Sequence, residues 1–178
     1  DLANQYADLL KDFLGVSQIG LASCASDTIF AIIAALELPP RSKVALPVNS
    51  FPAILNAILT YGHTPIFVDI DEDTGNICLK DLSGKTEGLR AVFITHYGGT
   101  AVCVDEVKSL VKSDTLILED SACALGSFTK GIAIGTKADF SCWSFDSMKL
   151  VTCGEGAAFF CQDNKLFNRV SQQLYLGL

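Results

Sequence analysis

Residues 89–99 read LRAVFITHYGG, residues 104–112 read VDEVKSLVK and residues 115–120 read TLILED. The first and third stretches are short apolar runs rich in branched residues, apolar on both faces as a buried parallel strand must be. The middle stretch places Val104, Val107 and Val111 at helical spacing. A strand, a helix and a second buried strand in this order make a crossover unit, and crossovers join parallel strands. The same alternation extends outward in both directions. Tyr6, Leu9, Leu10, Phe13 and Leu14 mark a helix over 2–14 that Gly15 ends. QIGLAS (18–23) predicts a strand. A helix over 27–37 follows, with Ser26 and Asp27 as cap candidates and Pro39–Pro40 as the stop. KVALPV is a strand, 51–61 a helix closed by Gly62, and TPIFVDI a strand. DFSCWSF and EGAAFFC are further strands, and the chain from Asn164 reads as a helix. The expectation is one α/β domain of three layers, a mainly parallel mixed sheet with helices on both faces.

Composition agrees. The chain has 178 residues, 49% hydrophobic and 19% charged, enough for one domain that buries about two-thirds of its unfolded surface. The net charge of -7, with no basic run, argues against a nucleic-acid or anionic-membrane partner. No apolar run reaches the roughly 18 residues that span a bilayer. The seven cysteines (24, 78, 103, 123, 142, 153 and 161) include no C-x-x-C pair. Structural zinc needs paired ligands, so the expectation is no metal and free, buried thiols in a reducing, cytoplasmic setting. Position 1 is Asp and the only Met is Met148, which predicts a processed chain or a segment of a longer one.

Parallel sheets bind ligands where their strands end at the carboxyl edge. Several motifs near such ends fail. SGKTEG (83–88) has the tail of a phosphate loop, but Leu79 stands where the leading Gly belongs. DIDEDTG (69–75) begins like a calcium loop, yet Thr74 and Lys80 occupy the Gly and closing Glu positions. There is no G-x-G-x-x-G after the first strand and no G-x-S-x-G.

Three features remain. SCASDT (23–28) is a strand-to-helix turn whose Ser26 and Asp27 N–H groups and Ser26 hydroxyl suit a phosphate, although, taken alone, the turn is better explained as a plain Ser or Asp helix cap. Asp120 ends a buried strand, where a carboxylate is costly without a partner; a protonated ring nitrogen is one partner and a capped turn another. Lys149 is a lone lysine among apolar residues, a setting that favours a neutral, nucleophilic amine unless the side chain reaches out to solvent. Pyridoxal 5'-phosphate needs all three, plus an aromatic face that Phe51 can supply.

These elements, taken in order, resemble the DegT/DnrJ/EryC1 family of pyridoxal-phosphate-dependent sugar aminotransferases, within the fold-type I superfamily. The family's S-x-G-T element appears as SCASDT, P-x-x-T-F as PVNSF, and G-x-x-P-x-F-V-D-x-D as GHTPIFVDID. H-x-x-G appears as HYGG, E-D-x-A-x-A-x-G as EDSACALG, and S-F-x-x-x-K-x-x-T-x-G-E-G-G as SFDSMKLVTCGEGA. The resemblance implies that Lys149 forms the Schiff base and moves the proton, and that Asp120 keeps the pyridine nitrogen protonated. Ala25, Ser26, the Asp27 amide and Ser144 would lie on the phosphate, Phe51 would stack on the ring, and Cys123 would sit near the cofactor. It further implies amino transfer from an amino acid, usually glutamate, to a keto sugar linked to a nucleotide, in a homodimer with the active site between subunits. The chain departs from the pattern at Ala25 (Gly in the family), Cys123 (Gln or His) and Ala157 (Gly). Lys149 is kept where dehydratase relatives carry His, which favours transamination. A cofactor-binding or regulatory relative without turnover is the alternative. On this reading residues 1–178 are the cofactor-binding large domain, and a C-terminal small domain is missing.

Overall fold

The computed structural model describes residues 1–175. Helix α1 (Leu2–Leu14) starts on the Asp1 side chain, which accepts from the Asn4 N–H, and ends at Gly15 with φ of 70°. There follow β1 (Gly20–Ala22), α2 (Ala25–Ala35), β2 (Lys43–Pro47), α3 (Pro52–Thr60) and β3 (Thr64–Val68). Next come α4 (Leu79–Ser83), β4 (Leu89–Thr95), α5 (Val104–Leu110) and β5 (Leu116–Asp120). A hairpin, β6 (Phe128–Thr129) and β7 (Ile132–Ala133), precedes β8 (Phe140–Ser144), β9 (Ala157–Cys161) and α6 (Asn164–Leu174).

Seven strands form one sheet in the order β1-β9-β8-β5-β4-β2-β3. The five from β8 to β3 are mutually parallel; β9 alone runs in the opposite direction, and β1, antiparallel to β9, returns to the common one at the sheet edge. Strand alternation sorts the core into two sides. Val44, Leu46, Ala91, Phe93, Leu118, Phe140 and Cys142 face α2, α3 and α6. Ala45, Val92, Ile94 and Ile117 face α4 and α5, while Trp143, Ala158 and Phe160 carry α1. The mixed three-layer sheet read from the sequence is therefore the fold.

Three expectations need correction. The cap of α2 is Cys24, in extended conformation, and the helix begins at Ala25; Ser26 and Asp27 lie inside its first turn. The stretch 79–83, where the sequence pattern predicts no element, is a short helix whose Leu82 is buried against α5. The thiols are all free, but only Cys142 and Cys161 are buried, and Cys103, Cys123 and Cys153 are exposed. No helix among the described residues is long and apolar enough to cross a membrane.

Because β2, β4, β5 and β8 run in one direction, their last residues open on one edge of the sheet. The N-terminus of α2 sits at the same edge, and a cavity of about 730 Å³ lies there.

Candidate active site

The floor of the cavity follows from register. Thr95 pairs with Asp120, and Asp120 with Cys142, so their side chains point to the same side of the sheet. That side is the one packed on α2, which brings Asp120 beneath the helix N-terminus. Glu119, one residue earlier, must point to the opposite side. The dipeptide Glu119–Asp120 therefore serves two separate environments.

Asp120 is 5% exposed and its Oδ1 accepts one hydrogen bond, 3.1 Å from the Ala122 N–H. Burial pushes its carboxyl above the ordinary carboxylate range; the Ala122 N–H and the Lys149 charge oppose the shift without cancelling it. The Thr95 hydroxyl lies close enough to lower it slightly, yet makes no hydrogen bond of normal geometry, and its oxygen is buried and unpartnered. A buried carboxylate held this sparsely calls for a cationic donor from the cavity side.

Lys149 lies on the turn after β8, its backbone N–H held 2.9 Å from the Asp146 carbonyl. Its Nζ enters the cavity and donates to the Cys123 sulfur at 3.3 Å. The apolar neighbours that marked it in the sequence do not bury it: Met148 is 88% and Leu150 93% exposed. The lysine is half-buried because it faces the cavity, not because it sits in a core.

Ala25 and Ser26 line the cavity from the first turn of α2. No side chain caps this turn with a hydrogen bond of normal geometry; the Cys24 thiol lies nearest the Ser26 and Asp27 N–H groups. Those first-turn groups therefore retain their capacity for an anion. Ala25 has negative φ, so its methyl group costs no backbone strain. Ser144, at the end of β8, accepts from the Asp146 N–H at 3.3 Å, which leaves its own proton to donate. Phe51 precedes Pro52 at the start of α3 and is 62% exposed at the cavity wall. Cys123 lines the same space. Asp27 behaves differently. Its carboxylate accepts from the Ser23 hydroxyl, and the residue lines a separate, more open cavity with Phe30, Tyr61 and Gln173. Only its backbone N–H remains oriented by the helix start. Ala157 is buried on β9 opposite Ser144.

Several residues in and around the cavity escaped the sequence reading. Asn49 donates from Nδ2 to the Gly75 carbonyl at 2.8 Å, while its Oδ1 is buried without a partner. Asn76 accepts from the Tyr97 N–H and donates to the Thr100 carbonyl, so the acidic turn after β3 braces the HYGG loop. Gly75, at φ of 68°, is needed there: a Cβ would lie 2.8 Å from the Tyr97 ring. Glu155 and Asp146 add two carboxylates to the rim.

The opposite side of the sheet holds a buried pair. His96 Nδ1 accepts from the Val102 N–H at 3.0 Å, which places the ring proton on Nε2, donated to Glu119 Oε1 at 3.1 Å. Glu119 Oε2 accepts from the Ala138 N–H. Both carboxylate oxygens thus face donors whose orientation is fixed. An amide at this position turns one acceptor into a donor facing a donor. Glu119→Gln is expected to cost about 2 kcal/mol of folding stability, read from denaturant midpoints.

A model of the DegT/DnrJ/EryC1/StrS aminotransferase family matches residues 1–178. The chain is 37% identical over 169 residues to the dTDP-4-dehydro-2,3,6-trideoxy-D-glucose 4-aminotransferase of Saccharopolyspora spinosa, covering 93% of this chain and 44% of that protein. It superimposes on PseC of Helicobacter pylori, an aminotransferase involved in the biosynthesis of pseudoaminic acid, with a TM-score of 0.90 and 27% identity over 97% of this chain and 47% of that one. The aminotransferase TlmJ of Streptoalloteichus hindustanus gives 0.89 and 31%, over 97% and 48%. The chain spans less than half the length of each of these relatives.

Proposed function

The chain belongs to the DegT/DnrJ/EryC1/StrS aminotransferase family, and from that membership we propose that residues 1–178 are the cofactor-binding large domain of a pyridoxal-phosphate-dependent aminotransferase. The whole protein moves an amino group from an amino acid, glutamate on this reading, to a keto sugar carried on a nucleotide. The observation that carries the proposal is the sharing of one cavity by a sparsely held, buried Asp120 and the Lys149 amine.

The residues fit the cofactor by their own chemistry. Asp120 needs a charged N–H partner, and a pyridinium supplies one. The uncapped first turn of α2, with the Ser26 and Ser144 hydroxyls, suits a phosphate dianion. Phe51 offers a flat face at the wall. When bound, the cofactor supplies a ring that withdraws electrons and carries the amino group between donor and acceptor. The chain supplies the rest. Lys149 would provide the amine that holds the cofactor covalently, and its nitrogen, reaching into the cavity, would be the group that takes up and returns a proton. Asp120 holds the proton on the ring nitrogen. Ser26, Ser144 and the α2 amides, that of Asp27 included, fix the phosphate end, so that the reacting end stays in reach of Lys149. Cys123 contacts Lys149 where relatives place a longer polar side chain.

Exposed Phe51 and Tyr97 line the cavity, and Val48, Met148 and Leu150, sequence neighbours of the lining residues Asn49 and Lys149, are exposed as well. On our reading a second subunit of a cytoplasmic homodimer covers them and completes the site. The test uses the full-length protein loaded with cofactor and given glutamate. Conversion of the bound cofactor to its amine form, followed by transfer to a nucleotide-linked keto sugar, is the expected result. Binding without conversion would assign the chain to a non-catalytic relative instead.

A further inference from the structure

Two nucleophiles meet in the cavity. The Lys149 nitrogen lies 3.3 Å from the Cys123 sulfur. No other cysteine among the described residues makes a hydrogen bond with a lysine nitrogen. The backbone that carries each side chain is held in a turn. Cys123 stands on a tight turn fixed by the Ala122 N–H on Asp120 and the Ala124 N–H on the Ser121 carbonyl. Gly99 of the HYGG loop presses on this turn, since a Cβ there would lie 3.1 Å from the Cys123 carbonyl. Lys149 is held by its own turn on Asp146. The Cys123 residue is exposed, so a small oxidant reaches it. The buried thiols differ: burial pushes Cys161 up to about 12 and Cys142 higher still, which leaves both as unreactive thiols.

We propose that Cys123 is an oxidative modification site whose product is a sulfur–nitrogen bond to Lys149. Peroxide is the oxidant. The Cys123 sulfur attacks it, breaking the O–O bond, and yields the sulfenic acid and one water. The unprotonated Lys149 amine then attacks the sulfur, the S–O bond breaks, and a second water leaves as the S–N bond forms. The pair has lost two hydrogens, and peroxide has become two waters. A dithiol reverses the step: one thiolate attacks the sulfur and releases the amine, and the second closes a disulfide that expels the Cys123 thiol. The bond removes the amine on which cofactor attachment depends, a consequence that rests on the role of Lys149 proposed above.

The experiment uses full-length protein, with and without pyridoxal phosphate, treated with one equivalent of hydrogen peroxide and analysed by intact mass and peptide mapping. The expected result in the cofactor-free protein is a mass lower by two hydrogens, a linked peptide pair joining positions 123 and 149, and restoration by dithiothreitol. Cys123→Ser abolishes the link, and Lys149→Ala leaves Cys123 as a sulfenic or higher acid. Bound cofactor protects. Cys123 oxidised beside an unmodified Lys149 would overturn the proposal. A linked protein that still takes up cofactor covalently would keep the bond but remove Lys149 as the attachment point.

Discussion

Lys149→Ala in the full-length protein is expected to lose covalent cofactor attachment and to lower transamination by about 10⁴-fold or more. Among the described residues no other lysine lines the cavity. The side chain is half-buried and its one polar contact is the Cys123 sulfur. Truncation leaves no closed void, and it removes a charge that favours the buried Asp120 carboxylate less than the Ala122 N–H does, so folding stability should change by less than about 0.5 kcal/mol. The loss is chemical rather than structural. Far-ultraviolet circular dichroism and the denaturant midpoint should match the parent, while the long-wavelength absorbance of the attached cofactor disappears. A variant that kept both absorbance and turnover would remove Lys149 from the site.

Most of this site was legible in the sequence because its parts lie at strand ends, and strand ends are marked by polarity. The apolar runs at 89–95 and 116–118 stop at Thr95 and at Glu119–Asp120, and the structure puts these stops on one edge. Lys149 stood out by contrast with Met148 and Leu150, although for an incomplete reason. Those neighbours are exposed rather than packed, so the contrast marked a surface loop and not a core. The cap of α2 was misread because a cap is usually a hydroxyl or carboxylate, and here Cys24 takes the position. His96 and Glu119 were missed as a pair since 23 residues separate them. Counting parity along β4 and β5 would have found them: both sit on the side opposite Asp120. Asn49 and Asn76 gave no local signal at all, because their role is to tie together loops that meet only in the folded chain. The hairpin at 128–133 has two residues per strand, too few for a period to show.

Asp120→Asn is expected to move activity and stability in opposite directions. In the cofactor-free protein Asp120 is a buried carboxyl whose pKa burial raises. A raised value in the folded state means that the folded protein binds this proton more tightly than the unfolded chain does. The resulting stabilisation is complete below the ordinary carboxylate range and is lost as pH rises through the folded-state value. At neutral pH, above the ordinary carboxylate range, the carboxyl is thus a cost to the fold, borne either as a buried charge or as the uptake of a proton. Asn has nearly the same shape and can still accept from the Ala122 N–H through its carbonyl oxygen. The cofactor-free variant should be more stable than the parent at neutral pH by about 1–3 kcal/mol, with the difference shrinking as pH falls. With cofactor the sign reverses. The neutral amide cannot hold a proton on the ring nitrogen, and transamination should fall by about 10³-fold. Cofactor should then raise the unfolding midpoint of the variant less than that of the parent, because the charge-assisted contact that offsets the burial of Asp120 is gone. Unfolding curves with and without cofactor across the acid-to-neutral range measure both halves. An Asp120→Asn protein less stable than the parent without cofactor would show that the carboxylate is satisfied by the chain itself, and its assignment to the ring nitrogen would fall with that result.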